Sequence, residues 1–399
     1  MAYTETTKTS YGQRVGNSFK GIGAGVLLFI LGTVLLWWNE GRAVRTTKML
    51  REAQGVTVEM QDISTVDPRF EGKLVHAVGM TWTQDSLVDP DFGFGAVAVS
   101  IERDVAYYQW VENASSRTKD KIGGGQETVT TYTYEKKWVD EPVNSSAFHD
   151  PQYQNVNKTL ARYEHSRICA QHVTFGSYRL SPEQISSISG SRPMEVSLSE
   201  EKVASLNREL DSGRMSRQEM VCSNGNVLYL GAGANAPEIG DVRITFTKVL
   251  PAEVSLIARV QGDTFTGFTA KNGKRFSALV MGNHTADEMY ESEHQANKIL
   301  LWIFRIVGIL LVVTGLKSIF NFIETLAKIL PFVANILGWG VGLVCWIVGL
   351  AWSFIVIAIA WLRYRPVLGI TLLVLAAALI FFLVSRRKKK SSGPASSVQ

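Results

Sequence analysis

The chain is short of the residue types that build catalytic and metal centres. Its 399 residues include three cysteines and six histidines. Cys345 lies inside an apolar run, so Cys169 and Cys222 are the one pair left to form a bridge in an oxidising compartment, and two cysteines in a large domain are as often free and buried. No G-x-S-x-G, H-E-x-x-H or dinucleotide fingerprint stands where a strand and a helix would present it. The glycine-rich stretch "KDKIGGGQE" (119–127) lacks the Lys-Ser/Thr of a phosphate cradle and sits between strand-like segments, which makes it a loop tip. Charge of one sign is scarce as well. The net charge is +5, concentrated at the ends of apolar runs, which points to anionic lipid headgroups and away from nucleic acid.

Long uncharged runs are present at both ends of the chain. Residues 21–38, "GIGAGVLLFILGTVLLWW", carry no charge and as a helix are about 27 Å long, close to the hydrocarbon thickness of a bilayer. Three more runs follow at 298–316, 332–362 and 366–384. The pattern predicts four spanning helices: a cytoplasmic tail at 1–20, a short amphipathic cytoplasmic segment at 317–331 and a basic, disordered tail at 385–399 frame them. The "RRKKK" at 386–390 favours cytoplasmic termini. Arg42, Arg45, Lys48 and Arg51 argue the other way, because they follow the first span.

Residues 39–297 have ordinary soluble composition and read as a β-rich α+β domain inserted between the first two spans. "KLVHAVGMTW" (73–82) alternates Leu74, Val78 and Trp82. "DVAYYQWVE" (104–112) and "TVTTYTYEKKWVD" (128–140) flank the glycine tip as a hairpin. Consecutive strands run from Asp241 to Val280, with turns at Gly262 and at Asn272-Gly273. Helix signals lie between these groups, at "SPEQ" (181–184) and "SLSEEKVASLNREL" (197–210). After the strands, Thr285 and Glu288 open a helix with no proline before Pro331.

Few residues stand out as candidates for chemistry. Read as a helix, "NKTLARYEHSRICAQH" would bring His165, Cys169 and His172 to one face as metal ligands. No fourth ligand is near them, and packing or exposure is the plainer reading. Asp85, Asp89 and Asp91 suit turn capping better than calcium. His76, Asp104 and His165 form no recognisable triad. Within the apolar runs, Gly21 and Gly25, and Gly338 and Gly342, have the spacing of close helix contacts. Arg305 is the intramembrane charge, one turn from the start of its span, where the side chain can snorkel to the interface. Trp37 and Trp38 fit an aromatic interface belt, and Asn39, Glu40, Gly41 and Arg42 mark where the chain leaves lipid.

The chain resembles the LUMA family, also called the transmembrane protein 43 family. The likeness rests on "NEGRAVRT" (39–46), "EGKLVHAVG" (71–79), "YYQWVE" (107–112), "TYTYEKKW" (131–138), "PEIGDVRITF" (237–246), "IARVQGD" (257–263) and "RYRP" (363–366), in that order. The resemblance implies four spans with a large lumenal domain. Animal members sit in the endoplasmic reticulum and inner nuclear membrane, self-associate, and organise envelope proteins such as lamins and emerin. A bacterial member would sit in the inner membrane with other partners. Nothing in the family implies a catalytic residue or a cofactor. The expected function is therefore a non-enzymatic, multi-pass membrane scaffold that forms homo-oligomers and binds membrane lipid or a protein partner. The alternative is a membrane-bound enzyme acting on lipid or envelope substrates, and transport is a third reading.

Overall fold

A computed structural model describes residues 2–211, 221–231, 233–327, 331–367 and 370–371. Among the described residues five α-helices are assigned: α1 (Tyr11–Val56), α2 (Pro182–Ser187), α3 (Glu200–Asp211), α4 (Ala286–Ala327) and α5 (Pro331–Tyr364). The chain divides into two compact units. One holds Met1–Thr7, Arg51–Lys119 and Thr128–Glu291, and the other holds Lys8–Leu50, Asp120–Glu127 and the residues from Ser292 onward.

The first unit is built on two large sheets. Its main strands are β1 (Ala2–Thr9), β2 (Leu74–Thr83), β3 (Ser100–Asp120), β4 (Gln126–Val139), β5 (Ser166–Cys169), β6 (Val173–Phe175), β7 (Val221–Asn224), β8 (Val227–Leu230), β9 (Val242–Val249), β10 (Glu253–Gln261) and β11 (Ala278–Met281). One sheet runs β1-β4-β3-β9-β8-β7, with β5 added to β3. The other joins β11, β10, β6 and β2 through short strands and closes on itself, because β10 also pairs with β2. Val75, Phe175, Tyr178, Ile244, Phe246, Leu256 and Phe265 lie in the shared core.

Local chemistry explains the smaller elements. Ser181 and Gln184 exchange both hydrogen bonds of a capping box at α2, and Thr285 and Glu288 do the same at α4. Gly262 and Gly273 take the positive φ values, 61° and 78°, that their turns need. On β2 the alternation is inverted from the sequence pattern at its end. Trp82 is 61% exposed, while Thr81 and Thr83 are buried and donate to the carbonyls of Ala252 and His172.

The segment 166–172 differs from expectation more sharply. It is not helical: Ser166–Cys169 is a strand paired with Ser100–Arg103, so His165, Cys169 and His172 do not share a helix face. Partner hydrogen bonds from β3 outweigh weak helical periodicity here. Cys169 and Cys222 are free thiols.

The second unit is helical. Three of its helices are long and apolar enough to cross a membrane, within Tyr11–Val56, Ala286–Leu326 and Gly340–Tyr364. The fourth expected run, 366–384, and the tail at 385–399 lie almost entirely outside the described residues. The expected amphipathic segment at 317–331 is, as far as Ala327, the uninterrupted end of α4. Leu36, Val312, Val356 and Ile357 form the buried centre where α1, α4 and α5 meet.

The glycine tip of the β3–β4 hairpin also belongs to this unit. Arg14, nearly buried, pairs with Asp120 at 2.8 Å and donates to the Gly124 carbonyl at 2.9 Å. The ring of Tyr11 occupies the space a Cβ on Gly124 would need.

Candidate functional site

The most concentrated polar chemistry in the helical unit lies just past the first apolar run. Helical periodicity sets Asn39 and Arg42 on one side of α1 and Glu40 a quarter-turn away, so each meets a different neighbour. Asn39 and Glu40 are fully buried. Buried groups of this kind persist only when partnered.

Glu40 is partnered at both oxygens. Arg305 of α4 donates from Nε to Oε1 at 2.6 Å, and Trp361 of α5 donates from Nε1 to Oε2 at 2.9 Å. The Arg305 guanidinium lies between two indoles, 5.0 Å from the Trp302 ring centre and 5.7 Å from that of Trp361. Arg305 thus turns inward to a carboxylate and two aromatic faces, where the sequence pattern had it snorkelling to the interface. The reason is energetic: a partner inside the bundle removes the cost of a lone charge beside lipid.

A second set of bonds flanks the first. Asn39 donates to the Leu301 carbonyl at 2.9 Å, and its oxygen accepts from Arg42. Arg42 reaches on to Asn297 at 3.2 Å, and Asn297 donates back to the Ala43 carbonyl at 3.1 Å. Gly41 completes the junction by absence, since a Cβ there would stand 2.7 Å from the Tyr364 ring. Trp37 packs on the same Tyr364, and Trp38, 46% exposed, packs edge-on against Phe304. The six residues Trp37–Arg42 therefore tie α1 to α4 and α5.

The glycines below this junction have a related role. A Cβ on Gly25 would meet the Gly315 carbonyl at 2.8 Å, and one on Gly32 the Gly308 carbonyl at 2.9 Å. Gly21 has looser contact, with Ser318 Oγ at 3.6 Å, and Gly342 has open space. Gly338 lies among residues whose side chains are not described. Gly32, Gly308 and Gly315 have no glycine four residues away in the sequence. Their signal is a seven-residue spacing, two helical turns, carried by both helices.

The β-rich unit holds a different candidate. A cleft of about 280 Å³ is lined by Asp104, Asp140, His165, Arg243 and Thr245. His165 Nδ1 lies 3.3 Å from Asp104, but the Val105 N–H also points at it from 3.4 Å. A backbone N–H only donates, so Nδ1 is an acceptor and the ring proton sits on Nε2, facing the Asp140 carbonyl. Asp104 therefore does not orient this histidine as a triad acid would, and the cleft is lined by no serine or cysteine. His76 is elsewhere, between Glu59 and the His284 carbonyl.

The acidic loop also finds structural partners. Arg103 pairs with Asp89 at 2.8 Å and with Asp91 at 2.6 Å. Asp85 accepts from the backbone N–H groups of Gln171 and His172. Among the described residues, no three His, Cys, Asp or Glu side chains converge as a metal site.

Comparison with known proteins is consistent across species. A family model described as transmembrane protein 43 matches residues 107–366. Transmembrane protein 43 of Homo sapiens is 28% identical over 367 residues, covering 89% of this chain and 87% of its own. The Rattus norvegicus protein is 28% identical over 376 residues, covering 91% and 89%. The Drosophila melanogaster homolog is 27% identical over 361 residues, covering 88% and 90%. No solved structure matches the chain.

Proposed function

Because the chain belongs to the transmembrane protein 43 family, we propose that it is a non-enzymatic membrane scaffold that self-associates and binds a protein or lipid partner through its β-rich domain. The observation that carries this reading is the saturation of the polar junction. Both Glu40 oxygens are already hydrogen-bonded, and Asn39, Arg42, Asn297 and Arg305 are occupied with one another or with backbone. Such a network holds helices in register and leaves no free acid or base. The cleft at His165 supports the same reading through what lines it.

The full-length protein in a mild detergent, weighed by native mass spectrometry, tests the proposal. A defined oligomer is expected, and cross-links between copies are expected to fall in the β-rich domain. A strict monomer at all concentrations counts against it. The enzyme reading becomes the better one if a phospholipid or envelope substrate is turned over and Asp104→Asn or His165→Ala abolishes that turnover.

A further inference from the structure

Beyond the Trp302–Arg305–Trp361 cluster, α4 and the end of α5 each carry a cation one helical turn further on. Lys298 lies four residues before Trp302 on α4 and is exposed, one helical turn outward on the same face. Arg365 lies four residues after Trp361. Its N–H donates to the Trp361 carbonyl at 2.7 Å, so the helical turn continues through it. The two helices run in opposite directions, so both steps lead outward from Arg305.

The charges at the two depths differ in their partners. Arg305 is compensated by Glu40, whereas no carboxylate pairs with Lys298 or Arg365 among the described residues. The surrounding surface of α4 is apolar and open: Ile299, Trp302, Ile303 and Ile306 are each at least half exposed. Apolar walls with two uncompensated cations one turn beyond them match a phosphodiester at the end of an acyl chain.

We propose that these two adjacent helix ends bind the headgroup phosphate of an anionic phospholipid from the surrounding bilayer, with Lys298 and Arg365 as the cations and the Trp302 and Trp361 indoles against the glycerol and upper acyl chain. The site lies on the membrane-facing helices and stands whether or not the scaffold reading holds.

Native mass spectrometry of the full chain, in micelles doped with phosphatidylglycerol or phosphatidylcholine, is the test. Wild type is expected to retain phosphatidylglycerol preferentially, and Lys298→Gln/Arg365→Gln to lose that preference by roughly 25-fold, two cations each contributing about a factor of five. The charge-preserving Lys298→Arg/Arg365→Lys should retain it, which separates lost recognition from misfolding. Lys20→Gln/Lys317→Gln, at the other end of α1 and α4, should leave it unchanged. Equal retention of the two lipids, or unchanged retention in the glutamine double variant, overturns the proposal. Displacement by free glycerol phosphate overturns the bilayer source.

Discussion

Glu40 has no route to water, so its energetics are decided by its two partners. Arg305→Ala leaves a buried carboxylate facing an empty space, and loss of one member of a buried pair costs about 3–5 kcal/mol. Arg305→Lys should cost less, since it keeps the charge while losing the planar stacking on two indoles. Thermal unfolding in detergent should rank wild type above Arg305→Lys and that above Arg305→Ala. Equal melting of the three would show that the pair does not hold the helices. In the β-rich unit, Asp85 is held below the ordinary carboxylate range, first by the backbone N–H of His172; desolvation opposes this and the Gln171 N–H adds to it. A depressed carboxyl pKa stabilises the fold above the unfolded value of about 3.9, and that contribution is lost as pH falls through the folded value. Asp85→Asn should therefore melt below wild type at pH 7, and the gap should close as pH falls below the unfolded carboxyl value of about 3.9. A gap that is constant with pH would assign the effect to packing.

At the scale of elements, the glycine rows set how closely α1 and α4 approach. Overpacking a filled contact costs about 1–3 kcal/mol, so Gly32→Ala should lower the melting point while Gly342→Ala, with nothing within 4 Å, should not. Similar shifts for both would remove the close approach as an explanation. Hydropathy made these helices legible as elements, and capping residues made α2 and the start of α4 legible, because both signals are local. The segment around His165 to His172 was not legible as a strand. Its decisive partners, Ser100–Arg103 on β3, lie some sixty residues away, and no local pattern reports them. The same holds for Trp82, whose outward direction depends on which face of β2 the threonines' carbonyl partners occupy.

At the scale of the whole molecule, the hairpin tip gives a topological prediction. Ile122 is 90% exposed in the segment that packs with Tyr11 and Arg14. In a cysteine-free background, Ile122→Cys and Lys8→Cys should react with a membrane-impermeant maleimide from the same side of the membrane. Labelling from opposite sides would show that the tip does not dock on α1 in the membrane.

The sequence by itself determined the membrane class, the family, the β-rich character of the middle of the chain and the importance of Asn39–Arg42 as a boundary. These are properties of runs, periods and short motifs, which neighbouring residues define among themselves. Only the tertiary structure decided what those boundary residues do. Whether Arg305 meets water or Glu40, and whether a glycine faces lipid or a carbonyl, depends on which helix lies alongside. That choice is made by summed packing and hydrogen bonding over residues more than two hundred positions apart.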